Sequence, residues 1–520
     1  MADNSQPDHP HVNQWIIAVA VMLSTFMEVL DTTVVNVSLP HIAGSLSATP
    51  DEATWALTSY LVANAIILPI TGWLANYLGR KRLLMLSVTF FTAASFLCGL
   101  APTLPMLIFF RLVQGASGGC LQPISQAVLL EAFKPEDRGK AMGFWGLGIV
   151  VAPMLGPVLG GWLTDNYSWR WVFYINVPIG IASLIMTRAF IFDPPYIRRS
   201  TSRIDYWGIG MLAVGVGALQ LVLDKGQEKD WFSNHWILAL TVVALACLAA
   251  FVIYELYAPH PVVNLRVFKN QTFSSGVFLM TALGFVLYGS LVLLPLLLQT
   301  LLGYPALQAG MAMAPRGLGS FLAMPTVGII MIRFDSRKLL AFGIAVCAFT
   351  LWQLSRLNLG LGYWDIFWPQ FIQGLSLAFL FVPLTTVTMD PISKEQMGNA
   401  TSIFNLMRNL GGSMGIAAAA TMSERWQQGD TNVLGAHFNL YDYGSQQMMR
   451  RLQQGFIAAG SDPVTALQRA YAAAFGMVER QAAMLAYNKV FLVLSMLFLI
   501  MIPFLFVMRR PQAGKGAVAH

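Results

Sequence analysis

The sequence predicts an all-α, polytopic membrane protein: fourteen transmembrane helices arranged as two six-helix bundles, with two further helices inserted between them. Three observations carry that prediction: composition, the spacing of apolar runs, and a repeat between the halves of the chain. Of 520 residues, 56% are hydrophobic and only 11% charged, whereas a soluble globular protein carries about 25% charged. With a mean hydropathy of +0.60, the chain has too few charged side chains to cover a soluble surface of this size. Disordered, collagen-like and disulfide-scaffold chains are excluded by the same figures. The net charge of +7 does not point to nucleic acid, because the basic residues lie in short loops between apolar runs, as the positive-inside rule requires. Cys98, Cys120, Cys247 and Cys347 all fall inside apolar runs without metal-like spacing and read as packing residues.

A helix needs about 20 mostly apolar residues to cross a bilayer core. The chain offers fourteen such runs, at 15–39, 54–74, 83–101, 104–127, 140–162, 170–191, 207–223, 236–257, 273–299, 306–331, 339–356, 364–389, 398–421 and 487–508. The first has no basic region before it and is too long for a signal peptide, so it is expected to be retained as span 1. Loops after even-numbered spans hold Arg80, Lys81 and Arg82; Lys134 and Arg138; Arg198, Arg199 and Arg203; Arg266 and Lys269; Arg333, Arg337 and Lys338; and Lys394. The C-terminal tail adds Arg509, Arg510 and Lys515, and the short loops after odd spans offer only Arg170, Lys225, Lys229 and Arg356, the long segment 422–486 falling outside, where long loops escape the charge rule. Both termini are therefore expected in the cytoplasm.

The predicted organisation is a cytoplasmic tail at 1–14, an N-terminal bundle at 15–191, two inserted helices at 207–257, a C-terminal bundle at 273–508 and a second cytoplasmic tail at 509–520. Within the second bundle, 422–486 is expected as a long segment on the outer side with two amphipathic helices, 443–458 and 463–486. Ser461, Asp462 and Pro463 supply the cap and first turn of the second. The segment reads either as a lid over the outer mouth or as a docking surface for a partner.

The halves echo each other. Gly72 through Arg80, Lys81, Arg82, Leu83 and Leu84 is matched by Gly328 through Ser336, Arg337, Lys338, Leu339 and Leu340, 256 residues on. Arg111, Gln114 and Gly115 match Gln370, Gln373 and Gly374, and Gly139, Lys140, Ala141 and Gly156 match Gly398, Asn399, Ala400 and Gly415, each 259 residues on. Two related six-helix units facing a central cavity are the logic of alternating-access carriers.

Only two acids lie deep within a span, Glu28 and Asp31, one turn apart on span 1. An ionised carboxylate at mid-membrane costs about 2.5–3.5 kcal/mol on insertion scales, so such residues are usually functional. Neighbouring buried acids can load and release a proton near neutral pH. Asp31 is the expected principal proton carrier, with Glu28 its modulator and Arg111 of span 4 facing it. Arg316 and Arg408 are the other deep cations. They have no deep acid in their own half, and are expected either to meet an anionic group of a substrate or to bond backbone carbonyls. Three deep cations against two acids favour amphipathic or weak acids as substrates. Asn36 and Gln114 join Arg316 and Arg408 as candidate cavity residues.

Enzyme signatures fail on context. Gly115-Ala-Ser117-Gly-Gly119 and Gly411-Gly-Ser413-Met-Gly415 fit a hydrolase pattern, and Gly208-Ile-Gly210 a dinucleotide one, but all three sit inside apolar helices. No phosphate-binding loop occurs, so an ATP-driven motor is not expected, and neither is a cofactor or metal; His9 and His11 lie in a polar tail. A channel is disfavoured because no filter-like loop interrupts the spans.

The loop Gly72-Trp-Leu-Ala-Asn-Tyr-Leu-Gly79-Arg80-Lys81-Arg82 resembles the cytoplasmic gating motif of the major facilitator superfamily, with Asn76 where that family usually places aspartate. Span 5, carrying Pro153, Gly156, Pro157, Gly160 and Gly161, resembles the antiporter motif of its drug exporters. Small residues four apart let a neighbouring helix approach closely. With Leu30-Asp31-Thr-Thr-Val-Val-Asn36-Val-Ser-Leu-Pro40 in span 1 and Trp169-Arg-Trp-Val-Phe-Tyr-Ile-Asn176-Val-Pro178 opening span 6, nearly the whole chain resembles the fourteen-span drug:proton antiporters of the EmrB/QacA type. The resemblance implies export of lipophilic toxic compounds in exchange for protons. It also implies partnership with a periplasmic EmrA-type membrane-fusion adaptor and an outer-membrane TolC-type channel. The rival reading on the same fold is an exporter of a single substrate, such as a fatty acid, lipid or siderophore.

Overall fold

In hydrocarbon, every backbone N–H and C=O needs a partner inside the chain. The computed structural model describes residues 13–134, 136–193, 205–259, 261–331, 333–438 and 441–507, and among them helices alone meet that need, with no strand. The basic groups expected at Arg198, Arg199, Arg203, Arg509, Arg510 and Lys515, and His9 and His11, lie outside the described residues.

Twelve helices are long and apolar enough to cross a bilayer: Gln14–Ser45, Asp51–Leu78, Arg80–Leu100, Leu104–Ala132, Arg138–Asn166, Trp171–Phe190, Tyr206–Lys225, His235–Tyr257, Gln271–Leu301, Ser336–Leu354, Tyr363–Met389 and Pro463–Phe506. Two more, Ala306–Ile330 and Met397–His437, occupy the places of spans 10 and 13 and complete the series. These two are less apolar. Span 13 buries Asn399, Asn405 and Arg408 among its neighbours.

Two expected elements differ. Span 13 does not stop near residue 421; its helix runs 41 residues to His437, about 60 Å at 1.5 Å per residue. Likewise, 463–486 is not a separate helix but the first half of Pro463–Met501, which becomes span 14. Hydropathy falls at these points, but no proline or glycine cap stops the backbone. Asp462 does cap this helix, accepting from the N–H groups of Val464 and Thr465 at 3.1 and 3.0 Å. Tyr443–Ala458 is a helix as expected, and it packs Met449 with Leu452 and Phe456 against Ala470 and Ala474.

Packing obeys the repeat. Span 1 lies on span 5 as span 9 lies on 13, and span 2 on span 4 as span 10 on 12. The halves meet near the basic loops at two crossings related by the repeat. A Cβ on Gly72 would come within 2.6 Å of the Asn399 backbone, and one on Gly328 within 2.8 Å of the Lys140 backbone. Only glycine lets the backbones come this near.

The inserted span 7 lies against span 2, where Thr58 donates to Asp224 and the Lys225 ammonium to Thr54 at 2.5 Å. It also reaches the other half, with Gln220 donating to Ser413 at 3.0 Å. Span 8 leaves Val242, Leu245 and Ile253 exposed on its outer face.

Candidate functional site

Span 4 is broken where the site begins. One helix ends at Gly118 and the next starts at Leu121, so the predicted continuous run is two segments. Pro123 has no N–H to give the Gly119 carbonyl one turn back. The Thr71 hydroxyl lies within reach of that carbonyl, at 3.4 Å, beside the Ile67 carbonyl at 3.1 Å. Gln122 and Gln126, after the break, meet span 13, while Arg111 and Gln114, before it, stay inside the N-terminal half.

Asp31 is fully buried in that half. Its Oδ2 accepts from Arg111 Nη1 at 2.5 Å, and its Oδ1 accepts from Gln114 Nε2 at 2.9 Å and from Asn176 Nδ2 at 2.7 Å. Arg111 is itself held by the Ala56 carbonyl and the Gln114 side-chain oxygen, both at 2.9 Å, and its guanidinium lies 4.2 Å from the Tyr60 ring centre. Asn176 also donates to Ser95, which donates to the Phe173 carbonyl. The expected facing of Asp31 and Arg111 is present. Gln114, expected to line a cavity, is instead occupied by this cluster, and Asn36 lies exposed outside it.

Glu28, one turn away and 3% exposed, belongs to a different cluster. Its Oε1 accepts from Asn64 Nδ2 at 3.1 Å and its Oε2 from Gln122 Nε2. The other end of that amide, Gln122 Oε1, accepts from Arg408 Nη2 on span 13. Arg408, without a deep acid in its own half, thus finds one in the other half through a single amide. Its Nε and Nη1 have no partner. Nearby, Asn405 Nδ2 donates to Gln126 Oε1 at 2.6 Å, a second bond between the halves.

Arg316 occupies the repeat position of Tyr60, 256 residues on, and is buried with Gln370, Gln373 and Cys347 on neighbouring helices. Gln370 donates to Gln373 at 3.3 Å, and Nη2 of Arg316 has no partner. The C-terminal half therefore carries a buried cation where the N-terminal half carries an ion pair. The four cysteines form no disulfide.

Asn64, Gln122, Gln126, Asn176 and Asn405 were invisible to a search for charges within spans. A count of amide side chains in apolar runs would have found them, since each must be matched by a partner once buried.

The gating loop pairs as its cations require. Arg80 is buried in an ion pair with Glu131, and Lys81 Nζ donates to the Arg188 carbonyl at the end of span 6, at 2.7 Å. The Lys81 N–H is held by Asp193 at 2.8 Å, and Gly79 adopts φ +87°, which suits glycine. Arg82 is exposed. On span 5, despite Pro153 and Pro157, the helix is continuous. A Cβ on Gly156 would sit 2.1 Å from the Thr33 hydroxyl, and one on Gly160 2.7 Å from the Val34 carbonyl. The antiporter-like motif therefore seats span 5 on the part of span 1 just beyond Asp31, while Gly161 has more room.

Comparison with known proteins agrees with this architecture. The family model of the Major Facilitator Superfamily matches residues 21–416. The multidrug export protein EmrB of Haemophilus influenzae is 42% identical over 84% of this chain and 86% of its own. EmrB of Escherichia coli is 37% identical over 97% and 98%. The fatty acid resistance protein FarB of Neisseria gonorrhoeae is 37% identical over 96% and 97%. Among solved structures, a double-tryptophan mutant of XylE aligns with a TM-score of 0.61 at 13% identity, over 96% of this chain and 97% of that one. The human organic anion transporter MFSD10 (TETRAN) aligns at 0.58 and 14% identity, over 94% and 100%. At such identities the structures speak for the fold alone. The mirrored crossings, the paired gating loop and these relatives lead to one assignment: the chain belongs to the major facilitator superfamily, in the family of the EmrB multidrug export proteins.

Proposed function

We propose that the chain is a multidrug:proton antiporter, exporting lipophilic and amphipathic toxic compounds across the bacterial inner membrane by alternating access. Its drive is the proton gradient, and no cofactor, metal or enzymatic step enters the proposal. The observation that carries this reading is the pair of buried acids one turn apart on span 1, in a relative of the multidrug export proteins.

The two acids have different neighbours. A proton arriving at Asp31 must compete with a guanidinium in contact, whereas the groups touching Glu28 are neutral amides and its nearest cation, Arg408, stands behind one of them. The sequence ranks Asp31 first; these contacts lead us to rank Glu28 first as the exchanging acid, with Asp31 and Arg111 as its fixed electrostatic background. The unpartnered donors of Arg316 and Arg408 suit substrates with an acidic group, the chemistry named in one relative, the fatty acid resistance protein. That relative keeps alive the single-substrate reading. Both termini are assigned to the cytoplasm on the basic loops. The helical extension around 422–486, with a groove of about 650 Å³ at its base lined by Gln427, Met477, Arg480 and Tyr487, suits a periplasmic adaptor and, beyond it, an outer-membrane channel.

The deciding experiment uses purified protein in proteoliposomes with a pH dye and a panel of chemically unlike lipophilic compounds. Proton release on adding several of them supports the antiporter. Release with a single chemotype supports the single-substrate exporter, and release with none overturns proton coupling.

A further inference from the structure

Both ends of the Gln122 side-chain amide are in use. Arg408 can only donate, so the amide oxygen must face it and the amide nitrogen must face Glu28. Each oxygen of Glu28 consequently receives one N–H, from Gln122 and from Asn64. That pattern fits an ionised carboxylate, which accepts on both oxygens; a carboxyl group would set its own O–H against one of those N–H groups. Were the Gln122 amide to turn over and accept the new proton, its NH2 would point at Arg408, donor against donor. The amide therefore cannot serve a proton on Oε2 of Glu28 and Arg408 together.

We propose that Gln122 is the residue that carries the protonation state of Glu28, in one half, to Arg408, in the other: a proton on Glu28 unfastens the C-terminal half. This rests on Glu28 being the exchanging acid. The repeat sharpens the point. The position 259 residues beyond Gln122 is Phe381, whose ring stacks on Trp145 of the opposite half at 6.1 Å. At these two positions related by the repeat, the halves thus meet once through a contact that senses no proton and once through one that does. The Asn405–Gln126 bond adds a neutral contact beside the second. Glu28 has few other charged or titratable neighbours: Asp31 one turn on, tied to Arg111 of span 4; Tyr60 of span 2; and Arg408 of span 13. Spans 5 and 6, also packed on span 1, hold their charges near their ends, at Arg138, Lys140, Asp165, Arg170 and Arg188.

The test measures the distance between spin labels at Tyr77→Cys and Glu395→Cys, both exposed, in the full chain with its four cysteines replaced by alanine. In the parent, the separated population should rise at least threefold between pH 8.5 and pH 5.5. Gln122→Met, of similar size but unable to bond either neighbour, should flatten that profile. Glu28→Gln, which removes the titrating group, should likewise flatten it. A Gln122→Met profile matching the parent overturns the proposal, as does a Glu28→Gln profile that still opens in acid. Protonation on Oε1, with Asn64 turning in place of Gln122, would give that first result. Dye-driven proton release from the parent is measured in parallel: its absence counts against proton coupling, while the distance profiles still decide the role of Gln122.

Discussion

Asp31 and Glu28 stand one turn apart on one helix and are buried alike, yet they live in different circumstances. Asp31 is enclosed by one half of the molecule: spans 4 and 6 send it a guanidinium and two amides, and every contact survives a rocking of one half against the other. Glu28 sits at the seam, and half of its hydrogen bonding leads through Gln122 to the opposite bundle. A carboxylate paired within a rigid body is a structural charge, whereas one whose partner belongs to the other rigid body is placed to report and drive the motion. Burial alone does not separate these roles. Connectivity does.

The largest expected effect comes from exchanging the acids' roles. Glu28→Gln should abolish substrate-induced proton release and accumulation driven by a pH gradient, while downhill exchange survives. Asp31→Asn should retain release with an altered pH profile. A pH dye on each purified variant decides, and loss of release in Asp31→Asn alone would return the leading role to Asp31.

Next in size is a comparison of the two arginines. Arg111→Leu strands a buried carboxylate and should destabilise the fold by about 3–5 kcal/mol, read as a lowered unfolding temperature in detergent, with much of the loss recovered by adding Asp31→Asn. Arg408→Leu should leave unfolding nearly unchanged, because its link to Glu28 is indirect, and should act on coupling instead. Equal destabilisation by both would erase the distinction between the clusters.

A smaller effect is expected from Gly156→Ala, which drives a methyl into the Thr33 hydroxyl and lifts span 5 from span 1 beside Asp31. Overpacking of this kind costs about 1–3 kcal/mol. It should reduce transport severalfold through the Asp31 side, and pairing it with Thr33→Gly, which removes both the hydroxyl and the Cβ that would stand 2.6 Å away, should restore much of the rate.

The mildest change in binding should follow neutralising Arg80, Lys81 and Arg82 together. These touch neither acid, so substrate affinity should stay within about twofold while turnover falls, measured as equilibrium binding against initial rate. A large fall in affinity would show that the loop and the clusters are not separable.

The sequence by itself determined the class, the helices and the pairing of the halves. Hydropathy over 20 residues is a local property, and a membrane leaves helices as the available solution. The offsets of 256 and 259 foretold the mirrored crossings at Gly72 and Gly328, because a duplicated unit packs through duplicated residues. The gating cations were legible for the same local reason: they stand beside the helix end that receives Lys81. Tertiary structure alone decided which acid meets which cation. The partners of Glu28 and Asp31 come from spans 2, 4, 6 and 13, up to several hundred residues away, and four of the six deciding side chains, Asn64, Gln114, Gln122 and Asn176, are neutral amides beside Arg111 and Arg408. It decided, too, that span 4 turns Arg111 inward to Asp31 and, about three turns on, Gln122 across the seam to Arg408. Helix register is set by packing against other helices, and no run of residues read in one dimension contains it.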